Sequence, residues 1–197
     1  MKKDILLATN NIGKVKELQN MLGDNYSILT LKDVNCDIDV IEDGITFEEN
    51  SLKKAIEIYN AIKIPCIADD SGLCIDFLDG KPGVFTKRFL GENTTQVERN
   101  ENILDKLKNC PYNKRTASFI CCISFYDGNN KISLEGKING RISFERKGTN
   151  GFGFDEILIP NGFNKTLAEL SIEEKNKISA RYKAIEKLKY YFNQNNI

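Results

Sequence analysis

The chain contains no histidine, and that absence removes Ser-His and Cys-His nucleophilic schemes together with every imidazole-ligated metal. Its chemistry must run on carboxylates, lysines, hydroxyls and a hard cation. The six cysteines (Cys36, Cys66, Cys74, Cys110, Cys121 and Cys122) show no Cys-x-x-Cys spacing. They read as buried reduced thiols, and the vicinal Cys121 and Cys122 are expected on opposite faces of a strand. Excess charge is lacking as well, because 28 Lys and Arg balance 28 Asp and Glu. No global field recruits nucleic acid or an acidic membrane, so neither is an expected partner and any polyanion site must be local. Long apolar runs are missing: "ILLA" between Asp4 and Thr9 is too short for a signal-peptide core, and no segment approaches membrane-spanning length. A soluble, cytoplasmic protein is expected. Internal repeats, low-complexity stretches and linkers are also absent, apart from the polar tail "NQNN" at 193–196.

What is present is enough for one sizeable core. The 197 residues predict a single domain over 1–197, with room for two lobes around a cleft. "KDILLAT" (3–9) reads as a strand running into the polar loop "NNIGK", and Val15, Leu18 and Leu22 then recur at helical spacing. "TFEENSLKKAIEIYNAI" predicts a helix with Thr46 and Glu49 as a capping box, a buried stripe of Leu52, Ala55, Ile56, Tyr59 and Ile62, and an end before Pro65. A third helix is predicted from Thr95, with Glu98 as its capping partner and Pro111 beyond its end. "TASFICCISFYDGNNKISLEGKI" predicts two strands around Asp127-Gly128-Asn129-Asn130. A last helix is predicted from "SIEE", its stripe running from Ile178 through Tyr182, Ile185 and Leu188 to Phe192. Because the hairpin must be antiparallel while strand–helix units favour parallel pairing, the expected fold class is α/β, a mixed twisted sheet flanked by helices.

Four stretches carry polar groups where ordinary core would not. "ATNNIGK" (8–14) places a hydroxyl, two amides, a glycine and a lysine in a loop entering a helix. Taken alone it fits either a phosphate site or plain capping by Thr9 and Asn10. "IADDSGLCIDFLDGKPGV" (67–84) sets Asp69 and Asp70 side by side after an apolar run, which suits a loop facing a cleft. Adjacent carboxylates repel unless a cation sits between them and their neighbours, and hard oxygen ligands point to Mg²⁺; an Asx-turn is the other reading. "GTNGFGFDEILIP" (148–160) is a glycine-rich aromatic loop in which Phe152 or Phe154 could stack on a base and Asp155 could accept its N–H groups, or which is a tight turn with core phenylalanines. In "EKNKISAR", Lys175 and Arg181 lie about 120° apart on a helical wheel, so both reach one cleft only if the helix end points into it.

In order and spacing, "ATNNIGKVKEL", "IPCIADDSGLCIDFLDGKPGV", "GTNGFGFDEILIP" and "TLAELSIEEKNKISARYKA" resemble the inosine triphosphate pyrophosphatase family, also called Ham1 or non-canonical purine NTP pyrophosphatases. The resemblance runs from residue 8 to about residue 188. It implies two lobes around a central nucleotide-binding cleft, and Mg²⁺-dependent cleavage of the α,β bond of ITP, dITP and XTP to the monophosphate and pyrophosphate. By the resemblance Asp70 matches the catalytic base, and Glu42, Asp69 and Asp70 face the metal. Thr9, Asn10, Asn11 and Lys14 match the phosphate loop; Lys54 and Ser71 line the same site; Lys87 matches a substrate lysine of some members. Phe152, Gly153, Phe154 and Asp155 match the base pocket, with Lys175 and Arg181 also on the substrate. A homodimer is implied too. The chain departs from the family pattern in reading Thr86-Lys87-Arg88-Phe89 for Ser-Ala-Arg-Tyr and Ser179-Ala180-Arg181 for Ser-His-Arg, and the missing imidazole predicts looser base discrimination. The alternatives are a Maf-like pyrophosphatase, against which the 151–160 and 174–181 stretches argue, and a nucleotide-binding module without catalysis, against which the retained Glu42, Asp69, Asp70 and Lys14 argue.

Overall fold

The computed structural model describes residues 2–23, 25–91 and 93–197, with only the backbone described at Lys87. The chain folds into two compact units: Met1–Asp70, Cys121–Gly136 and Arg181–Ile197 form one, Ser71–Ile120 and Lys137–Ala180 the other. The elements run β1 (Lys3–Leu7), α1 (Ile12–Leu22), β2 (Tyr26–Thr30), α2 (Phe47–Ile62), β3 (Cys66–Ile75), β4 (Lys81–Pro82), α3 (Gln96–Lys106), β5 (Thr116–Tyr126), β6 (Lys131–Ile142), β7 (Leu158–Pro160), α4 (Ile172–Ile178) and α5 (Ala180–Asn195). The strands order as β2-β1-β3-β5-β6-β7, with β4 paired to β3. The expected mixed α/β architecture is therefore observed. β1 pairs in parallel with β2, Ile5 opposite Ile28, and with β3, Leu7 opposite Ile67; β4 and β7 are antiparallel to β3 and β6.

In the first unit, Leu6, Ala8, Leu31, Cys36, Val40, Ala55, Ile58, Cys66 and Ala68 form one buried cluster. Burying one such aliphatic side chain stabilises by roughly 1.5–3 kcal/mol. Phe192 of α5 is fully buried and packs edge-on against Phe125 and Tyr26, at centroid distances of 4.7 and 5.5 Å. In the second unit, buried Arg115 donates to the carbonyls of Leu107, Ile142 and Ser143 at 2.6–2.9 Å, tying the end of α3 to the end of β6.

Local expectations hold at the ends of most elements. Thr95 and Glu98 close a full capping box on α3, and Ser171 and Glu174 another on α4. The Asp127 carboxylate accepts the N–H groups of Asn129 and Asn130 and so fixes the hairpin turn. Cys121 and Cys122 are both buried, and all six cysteines are free thiols.

Five expectations are corrected. Asn11 caps α1, its side chain accepting the Lys14 N–H, while Thr9 instead accepts from Asn11 N. At α2, Thr46 accepts the Glu49 N–H, but the Glu49 carboxylate turns back to Ile45 N, so the predicted box is not closed. The α2 stripe is also shifted: its buried residues are Phe47, Asn50, Ser51, Ala55 and Ile58, with two polar residues on the core side. Asp69, Asp70, Ser71 and Gly72 lie inside β3 rather than in a loop. Their buried polar groups have fixed partners in the folded chain, and those partners override the local preference of Asp-Asp-Ser-Gly for a turn.

The fifth correction concerns the last helix, which is two helices. Ser179 is extended (φ −62, ψ 152) between α4 and α5, although its N–H still closes α4 on the Lys175 carbonyl. A continuous helix would hold Lys175 and Arg181 about 9 Å apart along one axis; the extended residue releases them from that geometry, and each finds its own carboxylate.

Candidate active site

In the first unit, Asp69 and Asp70 are neighbours on β3, so their side chains leave opposite faces of the strand. Asp69 is fully buried. Its Oδ2 accepts from Arg181 Nη2 at 2.9 Å, with the Cys121 thiol 3.8 Å away, and Lys14 Nζ stands 3.1 Å from Oδ1. Arg181 also pairs with Glu17 on α1. Burial alone would raise the Asp69 pKa; the charges of Lys14 and Arg181, the Arg181 hydrogen bond and the charge of Lys54 outweigh it and hold the carboxyl well below the usual range. The same carboxylates hold the Arg181 guanidinium charged despite its burial.

Asp70 has the opposite character. Burial first, and the charge of Glu42 second, push its pKa up to about 6, against opposing contributions from the Asn50 hydrogen bond and from Lys14 and Lys54. Glu42 is paired with Lys54, whose Nζ also lies 3.5 Å from the Asp69 carbonyl. A buried carboxyl whose proton affinity is raised by burial and by a neighbouring carboxylate, with lysines close by, is the kind of charge pattern found at catalytic centres.

In the second unit, the 148–155 loop is closed on itself. Asp155 accepts the Phe152 N–H at 2.8 Å and pairs with Lys175 at 2.7 Å, and Lys175 Nζ lies 5.0 Å from the centre of the Phe152 ring. Asn100 of α3, also buried, donates to the Gly153 carbonyl at 3.1 Å. Gly151 has φ +79, and a Cβ there would overlap Asp155 Oδ2 and stand 3.0 Å from Lys175 Nζ. Gly151→Ala is therefore expected to lower the melting temperature by about 3–8 °C, from the left-handed backbone and the displaced ion pair together. An unchanged melting curve would show that the loop is not held through this contact.

A family model described as the Ham1 family matches residues 5–191 of the chain. The chain belongs to the Ham1 family. Its sequence is 45% identical over 195 residues to a dITP/XTP pyrophosphatase of Clostridium perfringens, covering 95% of this chain and 96% of that protein. The Staphylococcus aureus Ham1 protein has a similar structure, with a TM-score of 0.89 at 36% identity, covering 98% of this chain and 100% of that one. A nucleoside-triphosphatase/dITP/XTP pyrophosphatase from Mycobacterium abscessus gives a TM-score of 0.77 at 35% identity over 94% and 98% of the two chains.

In this Ham1-family chain, Lys14, Glu42, Lys54, Asp69, Asp70 and Arg181 all lie in the first unit, Lys14 and Arg181 paired with Asp69, Lys54 with Glu42, and Asp70 accepting from Asn50, while Thr9, Asn10 and Asn11 form the turn from β1 into α1. Phe152, Gly153, Phe154, Asp155 and Lys175 lie in the second unit, with Ser71 half-buried on β3. Phe154 is buried and Phe152 is the partly exposed ring of the pair. The side chain of Lys87 lies outside the described residues. Ala180, where the family pattern has histidine, is buried at the start of α5.

Sequence reasoning missed Glu17 and Asn50. Asn50 sits on the core-facing side of α2 at helical spacing from Phe47, and a polar residue in that phase was the available signal. No such signal marks Glu17. Among the described residues no group of three or more His, Cys, Asp or Glu side chains forms a ready-made metal cage. The hard oxygens of Glu42 and Asp70 nevertheless suit a cation of the Mg²⁺ type, which commonly takes one or two carboxylates and completes its shell with water and substrate phosphates. The buried Asp69 Oδ1 is held by the Lys14 ammonium at 3.1 Å. No helix among the described residues is long and apolar enough to cross a membrane.

Proposed function

We propose that this chain hydrolyses non-canonical purine nucleoside triphosphates (dITP, ITP and XTP) to the monophosphate and pyrophosphate, with Mg²⁺ as cofactor. The observation that carries the reading is the buried Asp70 carboxyl, which accepts from Asn50 Nδ2 at 3.1 Å and has its proton affinity raised by burial and by the charge of Glu42, itself paired with Lys54. The names of the relatives supply the substrate class. The first unit carries the groups suited to phosphate chemistry and the second a glycine-rich aromatic loop; the proposed activity is that of a single domain over 1–197.

In this mechanism Lys14 and the N–H groups at the start of α1 bind the phosphates, and Lys54 holds Glu42 in place. Asp70, ionised above about pH 6, orients the attacking water and accepts its proton. Asp69 keeps Lys14 and Arg181 in position. Glu42 and Asp70 would hold the metal, which when bound neutralises phosphate charge and polarises the phosphoryl oxygens. No covalent intermediate is needed. Phe152 offers the base a ring face, and backbone N–H groups of the 148–155 loop are the donors available to a 6-keto oxygen, a contact that an adenine amino group cannot make.

The test is kcat/KM on dITP, XTP, dGTP, dATP and UTP at one Mg²⁺ concentration. The reading requires dITP and XTP to be preferred; a preference for UTP would favour the Maf-like alternative, and no turnover of any of them the binding module. Lys14→Ala is expected to weaken triphosphate binding by about 10–100-fold and monophosphate binding less, since a charge-assisted contact contributes roughly 1.5–3 kcal/mol. Calorimetry with ITP and IMP measures this, and equal losses for the two would place Lys14 away from the β and γ phosphates. The working form is proposed to be a cytoplasmic homodimer, for which a dimer mass in sedimentation equilibrium is the check.

A further inference from the structure

Asn50 is 1% exposed, and a buried primary amide is tolerated only where its donors and acceptor are used. Its Oδ1 accepts the Gly44 N–H at 2.8 Å and its Nδ2 donates to Asp70 Oδ2 at 3.1 Å. The orientation of the amide is forced, because the Gly44 N–H can only donate and an ionised carboxylate can only accept. Gly44 closes the loop that carries Glu42. A Cβ on Gly44 would lie 2.7 Å from Asn50 Oδ1 and 2.8 Å from Glu49 Cβ, so this loop rests directly on the first turn of α2. One planar group in α2 thus touches both the strand bearing Asp70 and the loop bearing Glu42.

We infer that Asn50 is a positioning residue: its amide sets the Asp70 carboxylate and the Glu42 loop at a fixed separation before metal or nucleotide arrives. The inference rests on the reading of Glu42 and Asp70 as the catalytic pair. Two like charges left to themselves would move apart, and a flexible pair would have to be gathered at each turnover. The Asn50 amide on one and the Lys54 ammonium on the other remove that reorganisation. Asparagine is the side chain that fits, since aspartate would face Asp70 with an acceptor and alanine would remove the bonds to both Gly44 and Asp70.

The test compares wild type with Asn50→Ala and Asn50→Asp by two readouts: dITP kinetics, and Mn²⁺ binding by calorimetry without nucleotide. Outer-shell partners of metal ligands typically change metal affinity or activity by about 10–100-fold. Asn50→Ala should lower kcat by that order with KM little changed, and weaken Mn²⁺ binding by about tenfold. Asn50→Asp keeps the bond to Gly44 and loses the one to Asp70, so its kcat should also fall. A merely structural residue would lower the melting temperature and leave kcat and Mn²⁺ affinity of the folded protein at wild-type values; that result in both variants overturns the inference. If Asn50→Ala does not fold, Asn50→Ser takes its place with the same expectations. Wild type without dITP turnover would refute the functional reading, while the Mn²⁺ comparison would still decide the role of Asn50.

Discussion

Asp70→Asn should lower kcat by about 10²–10⁴-fold, the range for loss of a general base, while dITP still binds. The replacement keeps the shape of the side chain and can still accept the hydrogen bond from Asn50 Nδ2. What it loses is the negative charge that takes the proton from water. The same charge opposes folding. The Asp70 pKa is raised to about 6 in the folded chain from an ordinary 3.8, so the folded state binds the proton more tightly than the unfolded one. Stability from this group is therefore greatest at low pH, declines as pH rises from about 4 to about 6, and stays at its lower value above that. Without metal at pH 7.5, Asp70→Asn should melt at the same temperature as wild type or higher. An inactive but undiminished fold is the pattern expected where function is maintained at the expense of stability. Near-normal kcat would remove Asp70 from the mechanism, and a clearly lower melting temperature would contradict the electrostatic account of its environment.

The opposite sign is expected one residue earlier in the strand. Arg181→Ala leaves the fully buried Asp69 carboxylate with Lys14 as its remaining charged partner in direct contact, and breaking a buried pair in this way costs about 3–5 kcal/mol. It also deprives Glu17 of Arg181. For a chain of this size that corresponds to a fall in melting temperature of roughly 6–20 °C at neutral pH. The pH dependence gives a second handle. The Asp69 pKa is depressed in the folded chain, so its stabilising contribution is present above its unfolded value near 4 and is lost as pH falls through the folded value. In Arg181→Ala the folded value moves up. The gap between wild type and variant should therefore narrow as pH falls below about 4. Melting curves in a pH series measure it; a gap of under about 1 kcal/mol, typical of exposed pairs, would mean that the pairing is only superficial.

How far this site was legible in the sequence depends on the kind of signal each residue left. Capping at Thr95 and Ser171 depends on atoms three residues apart and was readable directly. The Asp127 turn was readable for the same reason. Asp69 and Asp70 were conspicuous as charges after an apolar run, but their placement inside a strand was not, because the partners that make it tolerable come from positions 14, 50 and 181. The break at Ser179 was hidden by a continuous apolar stripe whose period survives one extended residue. Asn50 departed from its helix's apolar pattern, yet nothing in the spacing named its partners, Gly44 and Asp70. Charges and caps are local facts of the chain, whereas pairing across elements exists only once it folds.

The central claim is attack that severs the α,β phosphoanhydride bond, and phosphorus-31 NMR of a dITP reaction with wild type and Mg²⁺ tests it most directly. The account predicts dIMP and pyrophosphate appearing together in equal amounts, with no dIDP at any time. Accumulation of dIDP with inorganic phosphate would place the cleavage at the β,γ bond and contradict it.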